Sequence, residues 1–151
     1  ESLDVAPCFA ESYRSKRLPE NLDIYLGPPE EHFMMTAEEQ AVYDDDGRLV
    51  ALLDNGNFDS ILLLEPDTGR FILHWVEDDQ PAAEFENWQQ YLADLVEGMV
   101  QSGLEDDELQ RISDLIQFRY LDRVFEYFES SRDVSFQEQK TRWQQLVRAL
   151  E

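Results

Sequence analysis

The sequence predicts an α+β fold in which an antiparallel β-meander packs against helices, with extra helices at the C-terminal end. Short apolar runs separated by turn-forming clusters fill the middle of the chain. An apolar stripe of helical period begins near Trp88, and further helical stripes continue to the end. With 151 residues, 42% hydrophobic and 12% aromatic, the chain has the material for one compact unit even at a formal net charge of −22. A disordered acidic segment would be poorer in Phe, Tyr and Trp.

Residues 1–27 predict one or two short helices, and Leu18-Pro19-Glu20-Asn21-Leu22 places a proline in the first turn of one. Gly27-Pro28-Pro29 breaks the chain. His32-Phe33-Met34-Met35 reads as a short strand, and Thr36 with Glu39 three residues on reads as a capping box. Residues 48–53, 58–65 and 70–77 are the strands of the meander, linked by Asp54-Asn55-Gly56-Asn57 and Pro66-Asp67-Thr68-Gly69. In the third strand Phe71, Leu73 and Trp75 alternate with Ile72, His74 and Val76; both faces are mostly apolar, as a central strand requires.

Beyond residue 84 the period becomes helical. Trp88, Tyr91, Leu92, Leu95, Val96 and Met99 form one stripe that ends near Gly103. A second helix is expected from Glu105-Asp106-Asp107-Glu108, whose carboxylates favour a helix start, through Leu109, Ile112, Leu115, Ile116, Val124, Phe125 and Phe128. A third carries Phe136, Trp143, Val147 and Leu150. The organisation expected is a sheet-and-helix domain over residues 1–104, with residues 105–151 as a helical extension on the same core.

Charge narrows the partners. Residues 1–104 hold 5 basic and 23 acidic side chains, and residues 105–151 hold 7 and 11. Nucleic acids and anionic lipid select basic surfaces, so neither is expected to bind. A basic protein would be attracted. Cys8 is the only cysteine, which excludes an internal disulfide and suits a reducing, cytoplasmic compartment. The longest apolar run, Ile61 to Leu64, is far short of the roughly 20 residues that span a bilayer.

Catalytic and cofactor signatures are missing from the sequence. His32 and His74 have no histidine or cysteine companions at metal-ligand spacing. Ser60 is not in a G-x-S-x-G setting, and no phosphate loop or dinucleotide fingerprint occurs. Asp54-Asn55-Gly56-Asn57-Phe58-Asp59 has Asp where a calcium loop needs its sixth-position glycine, so a turn between strands is expected there. No metal, no cofactor and no enzymatic activity are therefore expected. What remains is acidic clusters: Asp44-Asp45-Asp46, Glu77-Asp78-Asp79 and Glu105-Asp106-Asp107-Glu108, the last explained by its helix start. The first two are candidate partner-binding loops, with Tyr43 and Trp75 as candidate apolar anchors, although strand alternation assigns Trp75 to the core first.

The segment Leu49-Val50-Ala51-Leu52-Leu53-Asp54-Asn55-Gly56-Asn57-Phe58-Asp59-Ser60-Ile61-Leu62-Leu63-Leu64, followed by Pro66-Asp67-Thr68-Gly69-Arg70-Phe71-Ile72-Leu73-His74-Trp75, resembles the SUKH superfamily. That superfamily includes the yeast cell-wall-assembly regulator and many bacterial immunity proteins. The Leu18-Pro19-Glu20 element and the helix start at Phe85-Glu86-Asn87-Trp88 are similar as well. The chain departs from the pattern near Tyr25-Leu26-Gly27, where the family's Asn-Gly-Gly element is not evident, and in its helices after Gly103. The resemblance implies a sheet-and-helix domain without catalytic residues that binds and neutralises a cognate toxin, often a nuclease. Its eukaryotic branch implies the alternative, a regulatory or scaffolding domain that recruits an endogenous partner.

Overall fold

A computed structural model describes residues 6–15, 18, 22–55, 59–78 and 80–151. It is an α+β protein that divides into two compact units, residues 1–87 and 88–151.

In the first unit, α1 (Pro7–Ser15) and a 3-10 turn (Leu22–Ile24) precede α2 (Glu30–Met34) and α3 (Ala37–Gln40). The proposed turn role of Pro19 lies outside the described residues. The strands are β1 (Val50–Asp54), β2 (Ser60–Glu65), β3 (Arg70–Trp75) and β4 (Pro81–Phe85), in the order β1-β2-β3-β4 with every pair antiparallel. The predicted meander is present and β3 is internal, but a fourth strand joins it. Pro-Ala-Ala-Glu-Phe carries almost no strand signal. Pro81 is tolerated because β4 is an edge strand, where a missing N–H need not break a second ladder.

His32-Phe33-Met34-Met35 is not the expected strand: its first three residues lie in α2. Glu30 and Glu31 occupy the first turn, where carboxylates oppose the helix dipole, and Glu30 N–H donates to the Pro28 carbonyl at 2.8 Å. Helical spacing then sends His32 and Met35 to one side, while Phe33 and Met34 point away, 63% and 76% exposed. Thr36 forms the complete capping box with Glu39.

Register assigns the sheet faces. Ala51 opposes Leu63, which opposes Ile72, and Ile61 opposes His74, so these side chains share one face. Tyr43 completes a buried cluster with Ala51, Ile61 and Leu63, and Met35, Leu49 and Ile72 pack at its margin. On the opposite face Leu53, Leu62, Phe71 and Phe85 are buried. The β2–β3 turn closes with Gly69 N–H on the Glu65 carbonyl at 2.8 Å. Gly69 has φ +74°, a conformation that costs glycine nothing. At the other end of the sheet, Asn55 Oδ1 accepts from Asp59 N–H at 2.9 Å and from Ser60 N–H at 3.3 Å. The rest of that link, residues 56–58, lies outside the described residues.

The second unit is helical: α4 (Trp88–Gln101), α5 (Asp106–Ile116), α6 (Leu121–Ser130) and α7 (Phe136–Arg148). The α4 stripe is as predicted, with Trp88, Tyr91, Leu92, Val96 and Met99 buried. The helix expected to run from Glu105 through Phe128 is instead two helices. Gln117 turns left-handed at φ +58°, and Phe118 N–H closes α5 on the Ser113 carbonyl at 2.8 Å. Buried Gln89 holds the corner, donating to the Gln117 carbonyl and accepting from Arg119 N–H, each at 3.0 Å.

Candidate protein-binding surface

The two acidic segments singled out in the sequence sit at opposite ends of the sheet. In a meander the chain entering β1, the β2–β3 turn and the start of β3 share one end. The β1–β2 link and the exit from β3 share the other. Six residues of β3 separate them, roughly 17 Å at about 3.3 Å per residue. Asp44, Asp45 and Asp46 therefore lie at the first end, and Glu77 and Asp78 at the second. Asp79 lies outside the described residues.

At the first end, Asp44, Asp45 and Asp46 meet Glu65 and Asp67 around a shallow depression of about 220 Å³. Tyr43, Leu49 and Ile72 give it apolar walls, and Arg48 is the one cation among its lining residues. The three aspartates differ in role. Asp44 is a structural residue: its carboxylate accepts Arg48 N–H at 3.0 Å and Leu49 N–H at 3.1 Å, fixing the turn that feeds β1. Asp46 pairs with Arg48 at 2.8 Å across an exposed surface, an interaction of small net worth. Asp45 and Asp67 are exposed.

From the sequence, Glu65 is the end of a strand and Asp67 part of the turn after it, with neither joined to residues 44–46. The meander itself was the available signal, since Val50 opposes Leu64 and so places the residues before β1 beside those after β2.

Tyr43 and Trp75 exchange the places expected of them. Tyr43 is 8% exposed, its hydroxyl oxygen 2.7 Å from His32 Nδ1 and its ring 5.6 Å from the His74 ring. It is a core residue whose edge borders the depression, not a free anchor. Burial and the nearby Asp44 carboxylate push its hydroxyl pKa up to about 12. His32 is shifted down by burial, against the opposing influence of Asp44. His74, 3% exposed, donates from Nδ1 to the Trp75 carbonyl at 2.7 Å, since a carbonyl can only accept. Trp75, assigned first to the core, is 46% exposed beside Glu77 and Asp78. It ends the ladder opposite Ser60, and Val76 N–H continues it by one bond to the Asp59 carbonyl at 2.9 Å.

Among the described residues no helix is long and apolar enough to cross a membrane. Comparison with models of known protein families, with curated proteins and with solved structures gave no match.

Proposed function

We propose that the chain is a non-catalytic protein-binding domain. In its sharpest form it is an immunity-type protein that neutralises a cognate toxin by covering that toxin's basic, phosphate-accepting surface. The observation that supports this reading is the depression where five carboxylates face one guanidinium beside apolar walls. Carboxylates can take the place of phosphate oxygens against Arg and Lys, and a field of one sign speeds encounter with a partner of the other. Residues 1–87 supply most of the field, with 21 acidic against 5 basic side chains. The resemblance to the SUKH superfamily supports the choice of a toxin over another basic protein.

The test begins with capture of the partner by the whole chain and its identification, which separates a toxin from an endogenous protein. Affinity is then measured at low and physiological salt for the native chain and for Asp45→Lys/Asp67→Lys, two exposed positions outside the turn's hydrogen bonds. The expected loss is at least about tenfold, with a flatter salt dependence. Equal affinity and equal salt dependence in the two proteins would reject the depression as the binding surface.

A further inference from the structure

The α2–α3 segment carries a second surface that none of its structural duties explains. Its inward side is fully employed: His32, Met35 and Tyr43 pack beneath it, and Gln40 Nε2 ties α3 back to α2 by donating to the His32 carbonyl at 2.8 Å. Its outward side exposes Phe33 and Met34, at 63% and 76%, and Val42, in the turn after α3, is 49% exposed. Three large apolar side chains within ten residues are held out to solvent by a scaffold already anchored from below. Scattered single exposures are ordinary in folded proteins, whereas grouped ones mark contact surfaces.

The charge around these side chains selects their occupant. Glu30 and Glu31 lie on α2, and Glu38 and Glu39 on α3. No lysine or arginine occurs between Arg17 and Arg48. Exposed apolar side chains flanked along the chain by carboxylates are complementary to an apolar stripe flanked by cations. An amphipathic helix with Lys or Arg flanking its apolar face presents that pattern. Met34, unbranched and polarizable, suits a surface that must adapt to another side-chain set. A second copy of the chain would bring the same carboxylates against these, and an anionic membrane would be repelled likewise.

We infer that the outer side of the α2–α3 segment is a docking surface for a basic amphipathic helix of a partner protein, with Phe33 and Met34 as its apolar contacts. This rests on the reading of the chain as a protein-binding domain and adds a site distinct from the depression of Asp45 and Asp67.

The test uses the whole chain and a labelled synthetic Leu/Lys peptide of amphipathic helical pattern, with a scrambled peptide of the same composition as control. Fluorescence anisotropy should show saturable binding of the amphipathic peptide that weakens with salt and exceeds the scrambled control by at least about tenfold. Phe33→Ser/Met34→Ser should lose at least about tenfold in affinity, and Phe136→Ser, an equally exposed apolar position on α7, should bind as the native chain does. Circular dichroism and thermal unfolding confirm that each variant is folded; these positions are exposed, so no loss of fold is expected. Equal binding of both peptides, absence of binding, or unchanged binding by the double serine variant would overturn the inference. So would self-association of the native chain that the double serine variant abolishes, because the surface would then belong to a second copy. Failure of the peptide alongside a captured partner still sensitive to Asp45→Lys/Asp67→Lys would remove this surface and leave the depression standing.

Discussion

Tyr43-Asp44-Asp45-Asp46 and Trp75-Val76-Glu77-Asp78 are nearly the same phrase, an aromatic followed by acids, and the fold uses them in opposite ways. Tyr43 is buried in the cluster on one sheet face, hydrogen-bonded to His32, and the next residue is spent on holding a turn. Trp75 ends a strand and stands 46% exposed, with its acids in the turn beyond. Composition is shared by the two segments; position relative to the sheet decides which aromatic becomes core. The sharpest way to break this comparison is truncation. Tyr43→Ala should cost about 3–5 kcal/mol, because it opens a cavity and strips His32 of its partner, while Trp75→Ala should cost less than half as much. Urea unfolding of both variants would measure the gap, and equal costs would mean that the two rings are equivalent after all.

The same contrast shows what could be read from the residues beforehand. β1, β2 and β3 were legible because apolar runs of strand length alternate with Asn, Asp, Gly and Pro, so each local preference agrees with the ladder. β4 was not, since Pro81, Ala82, Ala83 and Glu84 have no strand preference and are recruited by the open edge of β3. His32, Phe33 and Met34 look like a buried strand only while their exposure is unknown; Pro29 and two glutamates at the start of α2 decide for helix. The break between α5 and α6 falls at Gln117, without the glycine or proline that usually announces one. As for the candidate surface, the cluster at 44–46 was visible as charge. Its union with Glu65 and Asp67, and its separation from Glu77 and Asp78, follow from the order of strands and not from any residue.

A smaller effect sharpens the comparison within a single cluster. Asp44, Asp45 and Asp46 are identical in chemistry, yet only Asp44 accepts two backbone N–H groups. Asp44→Ala leaves both donors without that acceptor and should destabilise the chain by about 1–2 kcal/mol, whereas Asp45→Ala should stay within about 0.5 kcal/mol of the native protein. Denaturant midpoints at constant slope give both values. Equal midpoints for the two variants would assign the turn to its Gly47 backbone, at φ +62°, instead of to the Asp44 carboxylate.

The smallest effect is one of pH, and it too separates the buried aromatic from the exposed one. His32 has its pKa lowered from 6.5 by burial, partly offset by Asp44. The unfolded chain therefore takes up a proton as pH falls through about 6.5 that the folded chain still refuses, and stability declines until the folded value is also passed. On the alkaline side Tyr43, raised from 10.0 to about 12, reverses the order: the folded chain keeps a proton the unfolded chain releases, so stability is lost as pH climbs from 10.0 toward about 12. Geometry explains the acid limb. A charged His32 must donate from Nδ1 to the Tyr43 oxygen, which leaves the hydroxyl hydrogen to Met35 Sδ, a weak acceptor at 3.4 Å. His74, whose ring lies 5.6 Å from the Tyr43 ring, turns its Nδ1 to the Trp75 carbonyl instead. Replacing His32 by Gln keeps an acceptor for the hydroxyl and removes the titrating group, so His32→Gln should flatten the decline below about pH 6.5 relative to the native chain. Trp75→Ala should follow the native profile, and a native-like acid limb in His32→Gln would show that the decline originates elsewhere.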